Sequence, residues 1–182
     1  MNVLASKSQL RASFLRWALF LVPLVVLIGF AAGQLGGPDT AWFAGLNKPA
    51  IYPPPAAFGI VWTVLFVLIG CALALVASAW GAAGRGLALI AFGVHFLPTQ
   101  AWTAVFFGMQ DMQAGLMVLG YGVASLAIAV ALIWRVRRNA ALLLLPYLAW
   151  LCFASALNYT FIAANPDGGH HDASGAATRV EL

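Results

Sequence analysis

Charged residues are scarce in this sequence. Aspartate, glutamate, lysine and arginine make up only 8% of its 182 residues, while 63% are hydrophobic and the mean hydropathy is +0.94. Soluble domains carry about 25% charged residues, because their surfaces face water. A water-soluble fold of this size has too little polar surface to cover so much apolar material, so the composition predicts a membrane protein.

The few charges also avoid the apolar stretches. Five stretches are long enough to cross a bilayer as helices, and none has Asp, Glu, Lys or Arg in its interior. They cover residues 16–35, 57–80, 87–107, 113–134 and 140–163. Embedded charges usually mark ion or proton pathways, so their absence argues against a proton pump or an ion channel. The stretches do not alternate in polarity, so helices are expected rather than a closed β-barrel.

Candidate metal ligands are equally few. Cys71 and Cys152 both lie in apolar stretches, where a free thiol behaves as a small buried hydrophobe. His170 and His171 have no cysteine or acid at ligand spacing, so no metal site is predicted. The basic residues form no patch interleaved with aromatic residues, so no nucleic-acid partner is expected.

The basic residues are instead sorted by topology. With five crossings and a cytoplasmic N-terminus, seven of the nine basic residues fall on the cytoplasmic side, leaving only Lys48 and Arg179 on the other. The sequence therefore predicts an all-α membrane protein. It has a cytoplasmic segment (1–15), a bundle of five transmembrane helices (16–163) and a polar tail (164–182) expected to be disordered on the opposite side. The sequence does not indicate which membrane contains the protein.

A cleaved signal peptide is the alternative for the first stretch, because Arg11 and Arg16 precede a short apolar run that ends in small residues. The run continues as far as Leu35, which is long enough to span. Removing this stretch would also weaken the excess of basic residues on the cytoplasmic side, so a spanning helix is expected.

Polar and aromatic residues share one face of the third stretch. Four of them recur at spacings of 4, 3 and 4: His95, Thr99, Trp102 and Phe106. Pro98 removes a backbone hydrogen bond beside them and predicts a kink. A histidine here is a candidate axial ligand for haem, and the alternative is a histidine that only hydrogen-bonds a neighbouring helix.

The second and fifth stretches carry matching faces. In the second, Phe58 and Trp62 lie on one side; in the fifth, spacings of 3, 4 and 4 align Tyr147, Trp150, Ala154 and Asn158. The topology brings these faces together beneath a connection rich in glycine and proline that bears Trp42 and Phe43. Converging aromatic rings and a few neutral polar groups predict a site for a large, flat, apolar ligand, with an ordinary aromatic core as the alternative.

Four ordered motifs run from about residue 23 to residue 165. They are Trp42-Phe43…Leu46-Asn47-Lys48-Pro49…Pro53-Pro54, Phe58…Val61-Trp62-Thr63, Trp102…Phe106-Phe107-Gly108 and Pro146-Tyr147-Leu148-Ala149-Trp150…Phe153-Ala154…Leu157-Asn158. In order and spacing they resemble the TspO/translocator protein family, whose members are also called tryptophan-rich sensory proteins or peripheral-type benzodiazepine receptors.

The resemblance implies a five-helix bundle, often a homodimer, that binds porphyrins such as protoporphyrin IX or haem, and also cholesterol-like molecules, beneath its first loop. By this resemblance the protein is expected to require no cofactor, and the porphyrin is its ligand. Some members are reported to degrade protoporphyrin in light, and the tryptophans implicated there correspond to Trp62 and Trp150. The resemblance and the helical faces together predict these ligand-binding residues: Trp42, Phe43, Pro53, Phe58, Trp62, His95, Thr99, Trp102, Phe106, Tyr147, Trp150, Ala154 and Asn158.

Two departures limit what the resemblance implies. The family usually has Asn three residues before the tryptophan of the third helix, where this chain has Thr99, which offers fewer hydrogen-bond donors. The basic residue expected soon after a tyrosine in the cholesterol motif is missing after Tyr159, so cholesterol transport is not predicted.

The sequence therefore favours a membrane protein that binds tetrapyrroles and acts as a sensor, regulator or carrier of porphyrin intermediates. One alternative is an enzyme that degrades porphyrin in light, with Trp62 and Trp150 as the reactive residues. Another is a transporter or scaffold for other hydrophobic ligands, such as sterols.

Overall fold

Long apolar helices make up most of the molecule. The computed structural model describes residues 7–169, in which no strand occurs. The helices are α1 (Lys7–Gly33), α2 (Ala41–Gly45), α3 (Pro55–Ala77), α4 (Arg85–Thr99), α5 (Met112–Val136) and α6 (Arg138–Ala164), with a π-helical segment (Ala104–Gly108) after α4. Five of these helices, with α4 continued to Gly108, are long and apolar enough to cross a membrane. The predicted all-α bundle of five spanning helices is confirmed.

Local sequence signals explain where several helices begin. Pro55 opens α3, where the amide hydrogen that proline lacks has no helical partner anyway. The Asp111 carboxylate accepts a hydrogen bond of 2.8 Å from the backbone N–H of Ala114 and so caps α5. Before α4, Gly84 turns the chain with a φ of 79°, a left-handed conformation that suits glycine.

The helices pack in the order α1, α3, α6, α5 and α4, and α4 also contacts α3, which closes the inner part of the bundle. The core between them is aliphatic, and Ile69, Leu126, Ile133 and Leu144 are fully buried. Helix α1 packs against α3 and lies at the edge of this arrangement, so much of its apolar surface is left to face lipid.

The third spanning segment is not one continuous α-helix. Pro98 has no amide hydrogen, and from there the chain bonds over shorter steps, with Gln100 N–H donating to Leu97 O at 3.3 Å and Ala101 N–H to Pro98 O at 3.1 Å. The π-helical segment follows, and Met109 N–H donates to Ala104 O at 2.8 Å. The predicted kink is therefore a change of helix type.

Ordered structure extends beyond the predicted bundle at both ends. Helix α1 begins at Lys7, so it includes part of the predicted cytoplasmic segment 1–15. Residues 165–169 follow α6 as a turn, and Asn165 is only 5% exposed, because it packs against the first loop. The disorder expected of the tail 164–182 stays a prediction. Residues 170–182, with both tail histidines, lie outside the described residues.

Small residues allow α1 to approach α3 closely. A Cβ atom on Gly70 would lie 2.6 Å from the Cα atom of Val22, and one on Gly29 would lie 2.1 Å from the ring of Phe66. Gly29 therefore serves packing within the chain. A Cβ atom on Gly33 would meet nothing within 4 Å.

We expect Gly70→Ala to lower the midpoint of thermal unfolding in detergent. The added methyl group meets backbone rather than a flexible side chain, and overpacking of this kind costs about 1–3 kcal/mol. Gly120→Ala is the matched control, because a Cβ atom there meets nothing within 4 Å and alanine favours the helix. Equal midpoints for the two variants would contradict the close approach of α1 and α3.

Candidate ligand-binding site

A cavity of about 430 Å³ lies between the spanning helices, at the end of the bundle that carries the loop 34–54. Every spanning helix contributes to its wall, and the loop contributes Pro38, Phe43 and Tyr52. The volume falls within the range of about 300–1,000 Å³ that is usual for small-molecule sites. Most side chains on the wall are aromatic or aliphatic.

Ten of the predicted ligand-binding residues line this cavity: Phe43, Phe58, Trp62, Thr99, Trp102, Phe106, Tyr147, Trp150, Ala154 and Asn158. The structure does not bring the other three, Trp42, Pro53 and His95, to the wall. Helical spacing therefore selected faces of α3, α4 and α6 that border the cavity. Their role in binding stays a prediction.

Two tryptophans from different helices form one wall. The rings of Trp62 on α3 and Trp150 on α6 lie 6.3 Å apart and nearly perpendicular, at 84°. Phe58 meets Trp150 edge-on at 5.9 Å, and Phe66 stacks on Trp62 at 5.2 Å. Such edge-to-face and stacked arrangements are the ones that aromatic pairs prefer, so neighbouring rings favour these orientations of Trp62 and Trp150.

The segment after α4 supplies the facing wall. Trp102 stacks on Phe106 at 5.0 Å with an angle of 24° between the rings. Its indole N–H donates to Asn158 Oδ1 at 3.2 Å, while Asn158 Nδ2 donates to the carbonyl of Met112 at 2.8 Å. A single buried amide therefore joins α6 to the π-helical region and to the start of α5.

His95 lies behind the wall, fully buried, in a polar network that joins α4, α5 and α6. Its Nδ1 atom is 2.9 Å from Ser125 Oγ, and its Nε2 atom is 3.2 Å from the Tyr147 hydroxyl. Because Ser125 Oγ lies 2.6 Å from the carbonyl oxygen of Tyr121, the serine proton must lie between these two oxygens. Ser125 then accepts from His95 Nδ1–H, and Nε2 accepts from Tyr147. Both ring nitrogens therefore have hydrogen-bond partners on neighbouring helices, as expected for a histidine that joins helices.

Several polar groups on the wall also direct their donors into the protein. The Thr99 hydroxyl donates to Phe96 O at 2.8 Å, and Gln100 Nε2 donates to the same carbonyl at 3.1 Å. Trp102 and Asn158 are committed as described above. Within residues 7–169, no lysine or arginine lines the cavity. The interior therefore suits an apolar body and offers no cationic partner for a carboxylate.

The loop 34–54 covers the cavity with aromatic side chains. Phe43, which is 5% exposed, packs against Phe107 at 5.1 Å and Phe161 at 5.8 Å. The Lys48 ammonium lies 4.2 Å from the centre of the Phe43 ring and donates to two loop carbonyls, and burial lowers its pKa. Trp42 does not line the cavity: its ring meets Phe106 edge-on at 5.7 Å, and its indole N–H donates to Gly168 O at 3.0 Å.

Asn165 fastens the loop to the end of α6. Its Oδ1 atom accepts from the backbone N–H of Asn47 at 2.8 Å, and its Nδ2 atom donates to Asn47 O at 3.1 Å. Asn47 Nδ2 donates in turn to Ala164 O at 3.2 Å. Sequence reasoning missed this pairing, because nothing local to either asparagine points to a partner more than a hundred residues away.

The chain is similar to known proteins over most of its length. The model of the TspO/MBR family matches residues 20–163. A tryptophan-rich protein TspO from Chlorobaculum tepidum is 35% identical over 147 residues, which cover 80% of this chain and 93% of that protein. The tryptophan-rich sensory protein of Cereibacter sphaeroides is 35% identical over 150 residues (82% and 92%). The human translocator protein is 36% identical over 127 residues (68% and 74%).

We expect Asn165→Ala to loosen the loop without unfolding the bundle. The substitution removes both hydrogen bonds to Asn47, so the amides of residues 41–48 should exchange with deuterium faster than in the wild-type protein. Asn139→Ala, an exposed asparagine at the opposite end, is the matched control. Unchanged exchange in Asn165→Ala would show that the pairing does not hold the loop.

Proposed function

Because the chain belongs to the TspO/MBR family, we propose that this integral membrane protein binds a flat tetrapyrrole, such as protoporphyrin IX or haem, in the aromatic cavity. It acts there as a sensor, regulator or carrier of porphyrin intermediates. Iron ligation by His95 is not part of the proposal, since both of its ring nitrogens have partners within the protein.

The observation that carries the proposal is the meeting of three tryptophans, Trp62, Trp102 and Trp150, around one apolar cavity. Each indole comes from a different spanning segment, and stacked or edge-on neighbours fix its orientation. Large aromatic faces held apart in this way favour a flat aromatic ligand, which can contact several rings at once. An ordinary aromatic core would fill this volume with side chains.

The charge of the wall supports one orientation for such a ligand. A porphyrin with carboxylate side chains has an apolar ring that matches the interior. Its carboxylates find no cation within, so they lie at the mouth, beside exposed Gln34 and close to the headgroups. Entry with the carboxylates leading would leave them desolvated and unpaired.

We expect Trp62→Phe combined with Trp150→Phe to weaken protoporphyrin binding about tenfold or more, because two of the aromatic faces shrink. Binding is followed through the absorption of the porphyrin itself, since these substitutions also remove intrinsic fluorescence. The matched control is Trp80→Phe combined with Trp134→Phe, which changes the same number of indoles at the other end of the bundle. We expect this pair to bind as the wild-type protein does.

Two results would contradict the proposal. Wild-type protein that leaves the porphyrin spectrum unchanged would exclude tetrapyrrole binding. Equal affinity of the two double variants would indicate binding to the exterior of the protein or to the detergent rather than to the cavity.

Light-driven oxidation of the bound porphyrin is a second candidate function. The observation that favours it is the closeness of Trp62 and Trp150, 6.3 Å apart on the same wall. An excited porphyrin against these rings can take an electron from an indole or transfer energy to dioxygen beside it. Illumination of the complex should then yield a new tetrapyrrole in a stoichiometric amount. Equally fast bleaching with free tryptophan would exclude this activity.

A further inference from the structure

A second cleft lies at the opposite end of the bundle from the aromatic cavity. It has a volume of about 770 Å³ and is formed by the first turns of α1, the loop that follows α3 and the junction of α5 and α6. Arg16, Arg137, Ser13, Ser78 and Trp80 are among its lining residues. It is more polar than the aromatic cavity and, unlike that cavity, is lined by arginines.

This end of the described chain carries arginines but no acid. The arginines are Arg11, Arg16, Arg85, Arg135, Arg137 and Arg138. The three acids within residues 7–169 are Asp39, Asp111 and Asp167, and all of them lie in or beside connections at the other end. No carboxylate of the described chain is therefore within reach of the guanidinium groups around the cleft.

Two of these guanidinium groups have buried donors that the described protein does not use. The Nε atoms of Arg85 and Arg137 are buried and have no hydrogen-bond partner in residues 7–169. Arg137 lines the cleft, and Arg85 stacks on the cleft residue Trp80, with its Cζ atom 4.2 Å from the ring centre. Both arginines are half-buried and have no carboxylate partner in the described chain, so an anion held in the cleft would stabilise this region.

We propose that the cleft binds the phosphate headgroup of an anionic phospholipid. A phosphate accepts two parallel hydrogen bonds from the planar guanidinium fork, which makes arginine well suited to it. Basic pockets between membrane helices recognise lipid headgroups in this way. The site is independent of the tetrapyrrole proposal, because it shares no residue with the aromatic cavity.

The position of the cleft favours a lipid over a free anion. Its residues lie in the first turns of α1, in the loop that follows α3 and at the junction of α5 and α6, where spanning helices begin or end, so we expect it at the depth of the headgroups. Trp17 and Trp80, with rings 6.4 Å apart, lie at the same level, as expected for tryptophans at a membrane interface. Leu10 and Val136 add an apolar flank that a lipid contacts and inorganic phosphate does not.

Native mass spectrometry of the full chain in detergent tests this site. With phosphatidylglycerol and phosphatidylcholine of matched acyl chains, we expect the anionic lipid to bind about tenfold tighter or more. This comparison uses only wild-type protein, so it does not depend on the folding of a variant. Equal affinity for the two lipids would overturn the proposal.

Paired substitutions then locate the site. Arg16→Gln combined with Arg137→Gln should reduce the preference for phosphatidylglycerol to about that of the neutral lipid. Arg11→Gln combined with Arg135→Gln removes the same charge from exposed residues outside the cleft and should keep the preference. An equal loss in both pairs would mean a general effect of surface charge and would contradict a defined site.

Inorganic phosphate separates the two sources of the anion. We expect millimolar phosphate to leave bound phosphatidylglycerol in place, because the apolar flank contributes to the affinity for the lipid. Displacement of the lipid by phosphate at comparable concentration would show that the cleft takes a free anion, and would contradict the lipid assignment.

Discussion

Inside a bilayer no water satisfies the polar groups of a protein, so each of them must find its partner within the chain. This constraint makes the five spanning segments helical. It also explains the network in which His95 joins Ser125 and Tyr147 and the bridge that Asn158 makes to Trp102. Because the hydrogen-bond donors of these side chains bond to other groups of the protein, the cavity stays neutral and apolar although polar residues lie around it.

The aromatic cavity lies beside an irregularity in the bundle. After Pro98 the chain bonds over shorter steps and then changes to π-helix, and in this region Trp102 stacks on Phe106 at the cavity wall. The loop 34–54 then covers the space with Phe43. Pro98 in the third spanning segment and Asn158 in α6 therefore help to shape the site, although aromatic side chains supply most of its surface.

Much of this architecture could be predicted from the sequence, because hydropathy and helical period report directly on burial in lipid. The helical period identified the face of α4 that carries Thr99, which lines the cavity, but it does not say how deep each residue of that face lies. His95, one turn before Thr99, lies behind the wall. In the loop no period applies. Nothing in the sequence could therefore show that Trp42 turns towards Gly168 while Phe43 turns inwards, or that Asn165 pairs with Asn47.

Tetrapyrrole binding in the aromatic cavity is the central claim about this protein. A crystal structure of the protein in complex with protoporphyrin IX tests this claim most directly. We expect the ring of the ligand between Trp62, Trp150 and Phe106 and beneath Phe43, with its carboxylates at the mouth near Gln34. A porphyrin bound on the exterior of the helices, with the cavity unchanged, would contradict it.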